Sequence, residues 1–277
     1  MRKTVAITGS TGGLGSLIVK DLIKDFDLVL VDRNINKSKA LAEEVKAVVP
    51  DAKIDFVTCD LADFESVKSA VNALIGKDIH VLMLNSGVYN VPVFKCDTGY
   101  NNVFQINFLS QYYMARQMVE KSPTLEKVVI TSSVAHRYGS IDENDVDFST
   151  RTKSAKIYGN SKRFLTFALY EYFKNVKDKK LAVAHPGVTL TNMTNHYPKF
   201  INPIVKLGIK IFFPSPKKAI QSLLLAARLE SCGYMEWIGP SVFDVWGKPK
   251  KSKLKSCSQS ESERIAEITE DVYKKLP

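Results

Sequence analysis

Six short, near-continuously apolar runs alternate with helical patterns along most of this chain, and that alternation restricts the fold more than any other feature. The runs are TVAIT (Thr4 to Thr8), LVLVD (Leu28 to Asp32), KIDFVTCD (Lys53 to Asp60), HVLMLN (His80 to Asn85), KVVITS (Lys127 to Ser132) and KLAVAHPG (Lys180 to Gly187). Continuous rather than alternating hydrophobicity marks strands covered on both faces. Between them, Leu14, Leu17, Ile18 and Leu22 share one helical face, and Ala40, Leu41, Val45 and Val48 another that Pro50 stops. Val67, Val71 and Leu74 follow Asp63 as N-cap and end at Gly76. Longer helices are predicted around Asn101 to Val119 and Ala155 to Lys174, with GYMEWIG (Gly233 to Gly239) as a seventh strand. Strand, helix and strand in repetition, with right-handed crossovers, build a doubly wound parallel sheet.

The predicted fold class is therefore α/β, a single-domain Rossmann fold with a doubly wound parallel sheet of about seven strands. Within the 277 residues no linker, repeat or low-complexity tract divides the chain, and an apolar share of 45% is enough for one large core. In such a sheet, ligands sit beyond the carboxyl ends of the strands. The glycine-rich loop after the first run, Asp32, Asp60, Asn85, Ser133 and Pro186-Gly187 all fall at such ends, so residues distant in sequence converge on one crevice.

Several function classes are excluded or disfavoured. The net charge of +10 is partly concentrated in KPKKSKLKS (Lys248 to Ser256), which reads as a solvated basic C-terminal segment over 248–277. No zinc-finger spacing or aromatic RNA-binding motif accompanies it, so no nucleic-acid partner is expected. No metal site is expected either, because His136, His185 and His196 lack ligand spacing. The four cysteines show no CxxC spacing, and reduced thiols fit a cytoplasmic protein. No membrane span is expected, since no stretch of about 18 uncharged apolar residues occurs. A first strand starting within three residues of Met1 leaves no room for a signal peptide. A Ser/His/Asp hydrolase is excluded by the lack of a G-x-S-x-G elbow.

Two clusters carry chemistry. The loop between the first strand and its helix has the spacing Gly9-x-x-x-Gly13-x-Gly15. Bare backbone there can approach a pyrophosphate at a helix N-terminus. Asp32, ending the second strand, suits the adenine ribose hydroxyls. The second cluster is YGNSK, in which Tyr158 and Lys162 stand four apart on a helix and share a face. A nearby ammonium favours the phenolate, so Lys162 is expected to draw the Tyr158 pKa down towards the working range.

These pieces, with TGSTGGLG (Thr8 to Gly15), CDL (Cys59 to Leu61), NSG (Asn85 to Gly87), FQIN (Phe104 to Asn107), ITSS (Ile130 to Ser133) and HPGVTLT (His185 to Thr191), resemble the short-chain dehydrogenase/reductase family over essentially the whole chain. SSVAH and VWGKPKKSKL look most like its retinol-dehydrogenase-like branch, without that branch's membrane anchor. The resemblance implies an NAD(P)-dependent oxidoreductase that moves a hydride between a nicotinamide and a small-molecule alcohol or carbonyl. Tyr158 would be the general acid/base and Lys162 would hold the nicotinamide ribose. Ser133 would bind the substrate oxygen, with Ser132 the other candidate, and Asn107 would anchor a proton-relay water. Thr8, Gly9, Ser10, Gly13, Leu14 and Gly15 would form the pyrophosphate loop, and Asp60 and Leu61 would flank the adenine. Asn85, Ser86 and Gly87 would lie along the ribose, and Pro186, Gly187 and Thr191 would face the nicotinamide.

Three departures from the family pattern stand out. Ser86 replaces the usual alanine, and Ser133 precedes Tyr158 by 25 residues, a long gap filled by the insertion HRYGSIDENDVDFSTRTKSAKI. Arg33 follows Asp32, so NAD is the expected cofactor, with NADP the alternative in which Arg33 meets a 2′-phosphate. The apolar stretch over 190–216 sits where the family places a substrate lid, which predicts an apolar substrate. Homo-oligomers through the helices beside strands four and five are common in the family. The competing reading is a catalytically inactive dinucleotide-binding regulator or scaffold.

Overall fold

A computed structural model describes residues 2–187, 214–230, 236–254 and 256–277. Eight strands form one sheet: β1 (Thr4–Thr8), β2 (Asp27–Asp32), β3 (Ile54–Thr58), β4 (Val81–Leu84), β5 (Lys127–Thr131), β6 (Lys180–Ala184), β7 (Glu236–Val242) and β8 (Trp246–Lys253), in the order β3-β2-β1-β4-β5-β6-β7-β8. The pairings from β1 to β7 are parallel, and β8 runs antiparallel to β7. The order reverses beside β1, and this switch point opens a crevice beyond the carboxyl ends of β1 and β4.

Helices cover both faces because each carries one apolar stripe. On one face, α1 (Gly15–Leu22) and α2 (Ile35–Lys46) bury Ile18, Leu22, Leu41 and Val45 against β1 and β2. The other face takes α3 (Phe64–Ile75), capped as expected by Asp63 at its start and Gly76 at its end. Beside α3 runs an unbroken helical segment: α4 (Asn102–Phe104), a π-helical turn (Gln105–Leu109) and α5 (Ser110–Lys121). The long α6 (Ser154–Phe173) packs next to it. Further along the chain, α7 (Pro216–Ala219) and α8 (Gln221–Arg228) join the α1 face. On the α6 face, α9 (Gln259–Lys274) inserts Ile265, Ile268 and Val272.

In the basic C-terminal segment, Lys248, Lys250, Lys251 and Lys253 are solvent-exposed but lie on a strand, and α9 follows it. The strand forms because a two-residue turn at Phe243 and Asp244 folds it back along β7, whose edge backbone needs partners. The insertion between β5 and α6 is also ordered. The Asn101 amide donates to the Asp147 carboxylate, and Asn160 donates to the Val146 carbonyl at 2.7 Å.

An aromatic cluster joins the π turn to α6. Phe104 is fully buried, with ring centroids 4.9 Å from Phe108 and 5.2 Å from Phe164. These rings set the spacing between the segment bearing Asn107 and the helix bearing Tyr158 and Lys162. Replacing Phe104 by Ala should cost about 3–5 kcal/mol of stability in urea unfolding. A loss below about 1 kcal/mol would show that this contact is not structural.

Candidate active site

Beyond the carboxyl ends of β1, β2, β4, β5 and β6 lies a cleft of about 710 Å³. Its floor is the glycine loop. Gly9 has φ +67°, where L side chains are strained, and a Cβ on it would approach Ser86 Oγ to 2.7 Å. A Cβ on Gly15 would overlap the Gly9 carbonyl oxygen. Both glycines are therefore required by the tight return of the chain into α1. That return leaves Gly9, Gly12, Gly13, Leu14 and Gly15 backbone lining the cleft at a helix N-terminus, a cradle shaped for an anion.

Thr8 and Ser10 are buried and do not line the cleft themselves. Thr8 Oγ1 accepts from the Asn85 and Ser86 amides at 3.0 and 3.1 Å, tying β1 to the loop after β4. Ser10 donates to the Asp32 carboxylate, which also accepts from Ser38 Oγ at 2.9 Å and from the Thr11 amide at 3.4 Å. A hydroxyl in each case serves a neighbouring backbone or carboxylate, so both residues shape the cradle from below. Asp32 itself is buried yet lines the cleft, and Arg33 extends outward, 3.7 Å from the Asp60 carboxylate. Asp60 and Leu61 form the adjoining wall.

At the other end, Lys162 is buried and its Nζ donates to the Thr131 carbonyl at 2.8 Å. Desolvation lowers its pKa to about 8. A Cβ on Gly87 would lie 3.5 Å from that Nζ and 3.3 Å from Asn107 Oδ1. The Asn107 side chain clamps Val88, accepting from its amide at 2.8 Å and donating to its carbonyl at 2.9 Å. Its own carbonyl accepts from Gln111 Nε2 at 3.1 Å, so the first turn of α5 ties the π turn down. Asn85 Nδ2 reaches the Thr8 and Gly9 carbonyls at 3.2 and 3.3 Å.

Adjacent serines on a strand point to opposite faces. Both border the cleft, but the Ser132 hydroxyl is buried against Thr166 Oγ1 at 2.7 Å, while Ser133 hydrogen-bonds Tyr158. Tyr158 differs from expectation. Burial pushes its phenol up to about 12, a Ser133 hydrogen bond pulls it down, and the nearby Tyr89 raises it further. Lys162 does not offset this, because its ammonium turns to the Thr131 carbonyl and stays 5.9 Å from the Tyr158 ring centroid. The phenol is therefore protonated at neutral pH.

Pro186 and Gly187, the latter at φ +81°, line the cleft beside His185. His185 stacks on Trp237 with centroids 5.4 Å apart, and burial lowers its pKa to about 4. Thr191 and the lid expected over 190–216 lie mostly outside the described residues, which resume at Pro214. Sequence reasoning missed Tyr89, whose ring meets Tyr158 edge-on at 5.2 Å, and Tyr138 on the cleft wall. Only a position just after NSG could have pointed to Tyr89. It also missed the Thr131 carbonyl, since backbone acceptors leave no mark on residue type. Among the described residues no group of acidic, histidine and cysteine side chains could hold a metal ion. None of the helices there is long and apolar enough to cross a membrane.

A family model described as short chain dehydrogenase matches residues 3–201. Retinol dehydrogenase 12 of Mus musculus is 27% identical over 237 residues, covering 82% of this chain and 74% of that one. A solved structure of an uncharacterized Mycobacterium paratuberculosis protein superimposes with TM-score 0.77 at 22% identity, covering 98% of this chain and 93% of the other. A short-chain dehydrogenase/reductase of Burkholderia phymatum in complex with NAD gives TM-score 0.61 at 18% identity, covering 82% and 86%.

The lowered Lys162 pKa has a consequence for stability. The folded protein releases this proton near pH 8, whereas an unfolded lysine holds it to about 10.5. Burying the ammonium therefore costs stability below pH 8, and the cost fades as pH rises towards 10.5. Relative to Lys162→Met, the wild type should gain up to about 3 kcal/mol between pH 7.5 and 10 in chemical unfolding. A difference that stays flat over this range would place the Lys162 titration elsewhere.

Proposed function

The chain belongs to the short-chain dehydrogenase family, and from that premise we propose that it transfers a hydride between NAD and the carbonyl or alcohol carbon of an apolar substrate. The observation that carries this reading is the meeting of the Ser133 and Tyr158 hydroxyls above the buried Lys162, at one end of a glycine-floored cleft. An inactive scaffold would have no use for that arrangement. Bound NAD would supply the hydride acceptor or donor at its nicotinamide ring.

The chain's own residues have distinct tasks. Gly9, Gly13, Leu14 and Gly15 hold the pyrophosphate against backbone and the start of α1. Asp60 and Leu61 border the adenine, Asn85 and Gly87 border the ribose, and Pro186 and Gly187 back the nicotinamide. Ser133 donates to the substrate oxygen and aligns it with Tyr158. The protonated Tyr158 gives its proton to that oxygen as negative charge develops in carbonyl reduction, and takes it back in alcohol oxidation. Lys162, positioned by its bond to the Thr131 carbonyl, would hold the nicotinamide ribose beside Tyr158.

Asp32 favours NAD over NADP. Its carboxylate is oriented by Ser10 and Ser38 within the cleft wall, and its charge repels a 2′-phosphate. Arg33 lies 3.7 Å from the Asp60 carboxylate on the same wall, so part of its charge is already matched. The apolar preference rests on the reacting end of the cleft, where Val88, Tyr89, Val134, Ala135, Tyr138 and Ala155 line the wall. The naming of a relative as a retinol dehydrogenase agrees with it.

Tyr158→Phe should lower kcat by about 10²- to 10⁴-fold with an aryl or retinoid aldehyde, while the NAD dissociation constant moves by less than about threefold. Trp237, stacked on His185 at the cleft, serves as the fluorescence reporter for that titration. A variant keeping more than about a tenth of wild-type kcat refutes the proton-transfer role. In the same titration NADH should bind tighter than NADPH, and the reverse order would overturn the Asp32 argument.

A further inference from the structure

The β7–β8 hairpin carries a surface that the hydride-transfer reading leaves unused. At its turn, Val242 accepts from the Val245 amide at 3.0 Å, and the two central residues, Phe243 and Asp244, have φ +53° and +56°. Such a turn favours glycine and asparagine, and a bulky residue there is strained. Phe243 is nevertheless aromatic and 85% exposed, so it contributes nothing to the core. Its neighbours Val242 and Trp246 are 45% and 43% exposed. Strain retained at an exposed aromatic points to a use outside the fold.

Directly behind this apolar tip, β8 contributes Lys248, Lys250, Lys251 and Lys253 with no acidic residue among its eight positions, and nearly the whole strand is exposed. Lys251 meets Glu236 at 3.0 Å on the neighbouring strand, and Arg137 meets Asp244 at 3.1 Å. β8 is also the last strand of the sheet. A row of lysines on an edge discourages pairing with a second copy of itself. An apolar and aromatic tip followed by cations matches the interface of an anionic bilayer, where aromatic rings sit at headgroup depth and lysines meet lipid charge.

We propose that the tip of the β7–β8 hairpin docks the protein on anionic lipid surfaces, with Val242, Phe243 and Trp246 in the headgroup layer and Lys248 and Lys250, on the Trp246 face of β8, against the lipid phosphates and carboxylates. The hairpin packs on the cleft. Asp244 O lies 3.2 Å from His185 Nε2, and a Cβ on Gly187 would meet Pro240 and the Val245 carbonyl at 3.2 Å. Docking therefore brings the cleft next to the layer in which apolar carbonyl compounds dissolve. Only this placement of the cleft rests on the proposed activity; the docking itself does not.

The test is co-sedimentation of the full chain with vesicles of phosphatidylcholine alone or with about 30 mol% phosphatidylserine. Wild type should pellet with the anionic vesicles about tenfold more than with the neutral ones, and the difference should shrink as salt rises from about 0.1 to about 0.5 M. Phe243→Asn suits the turn and should keep the melting temperature, yet lose about tenfold in binding. Lys248→Glu with Lys250→Glu, both at exposed positions, should abolish the anionic preference. No pelleting of wild type, or unchanged pelleting of either variant, overturns the proposal. So does light scattering that shows a dimer in wild type and a monomer in Phe243→Asn, which would assign the tip to a second copy. None of these readouts depends on turnover, so failure of the hydride-transfer reading leaves the result interpretable.

Discussion

The hydrogen bond from Lys162 to the Thr131 carbonyl is the interaction around which the reacting end is organised. It joins the middle of α6 to the end of β5 in the interior, where an unpartnered ammonium would be prohibitively costly. Around it, Gly87 lets the chain pass close to Asn107 Oδ1, and Asn107 holds the Val88 backbone from the π turn. The Phe104, Phe108 and Phe164 rings fix the distance between these elements. Tyr158, one helical turn before Lys162, is thereby aimed at Ser133.

The cradle end has its own organising charge. Asp32 gathers donors from Ser10, Thr11 and Ser38, so one carboxylate ties the glycine loop, the end of β2 and the start of α2 together. Thr8 does the same between β1 and the loop after β4. Both ends hang on parallel strands of one sheet, the cradle on β1 and β2 and the reacting end on β5 with β4 between them, and helices cover its hydrophobic faces. A cofactor spanning the cleft would meet a rigid floor throughout. That is the condition for placing a carbon within reach of both a hydride donor and a proton donor.

Much of this was legible in the sequence, and the failures have physical reasons. Strands β1 to β6 announced themselves through continuous apolar runs, and Asp63 and Gly76 capped α3 as their chemistry demands. β8 was invisible because WGKPKKSK has no apolar period; backbone pairing across a turn makes it a strand. The stripe Ile265, Ile268 and Val272 of α9 was present in the sequence but hidden behind the charge of the region around it. Thr8 and Ser10 belong to the loop motif, but residue type says nothing of which way a hydroxyl turns. The Tyr158 pKa went the other way because spacing shows that a cation is near and not that a carbonyl claims it.

The central claim is that this cleft passes a hydride directly from nicotinamide to a carbonyl carbon. The most direct measurement supplies NADH deuterated at either face of nicotinamide C4, with an apolar aldehyde in ordinary water, and reads the product alcohol by mass spectrometry and NMR. The account predicts deuterium on the carbinol carbon from one face only, because a cleft that fixes the ring would offer one face of it to the substrate. An alcohol free of deuterium from both labelled cofactors, or no alcohol at all across apolar aldehydes, would contradict it.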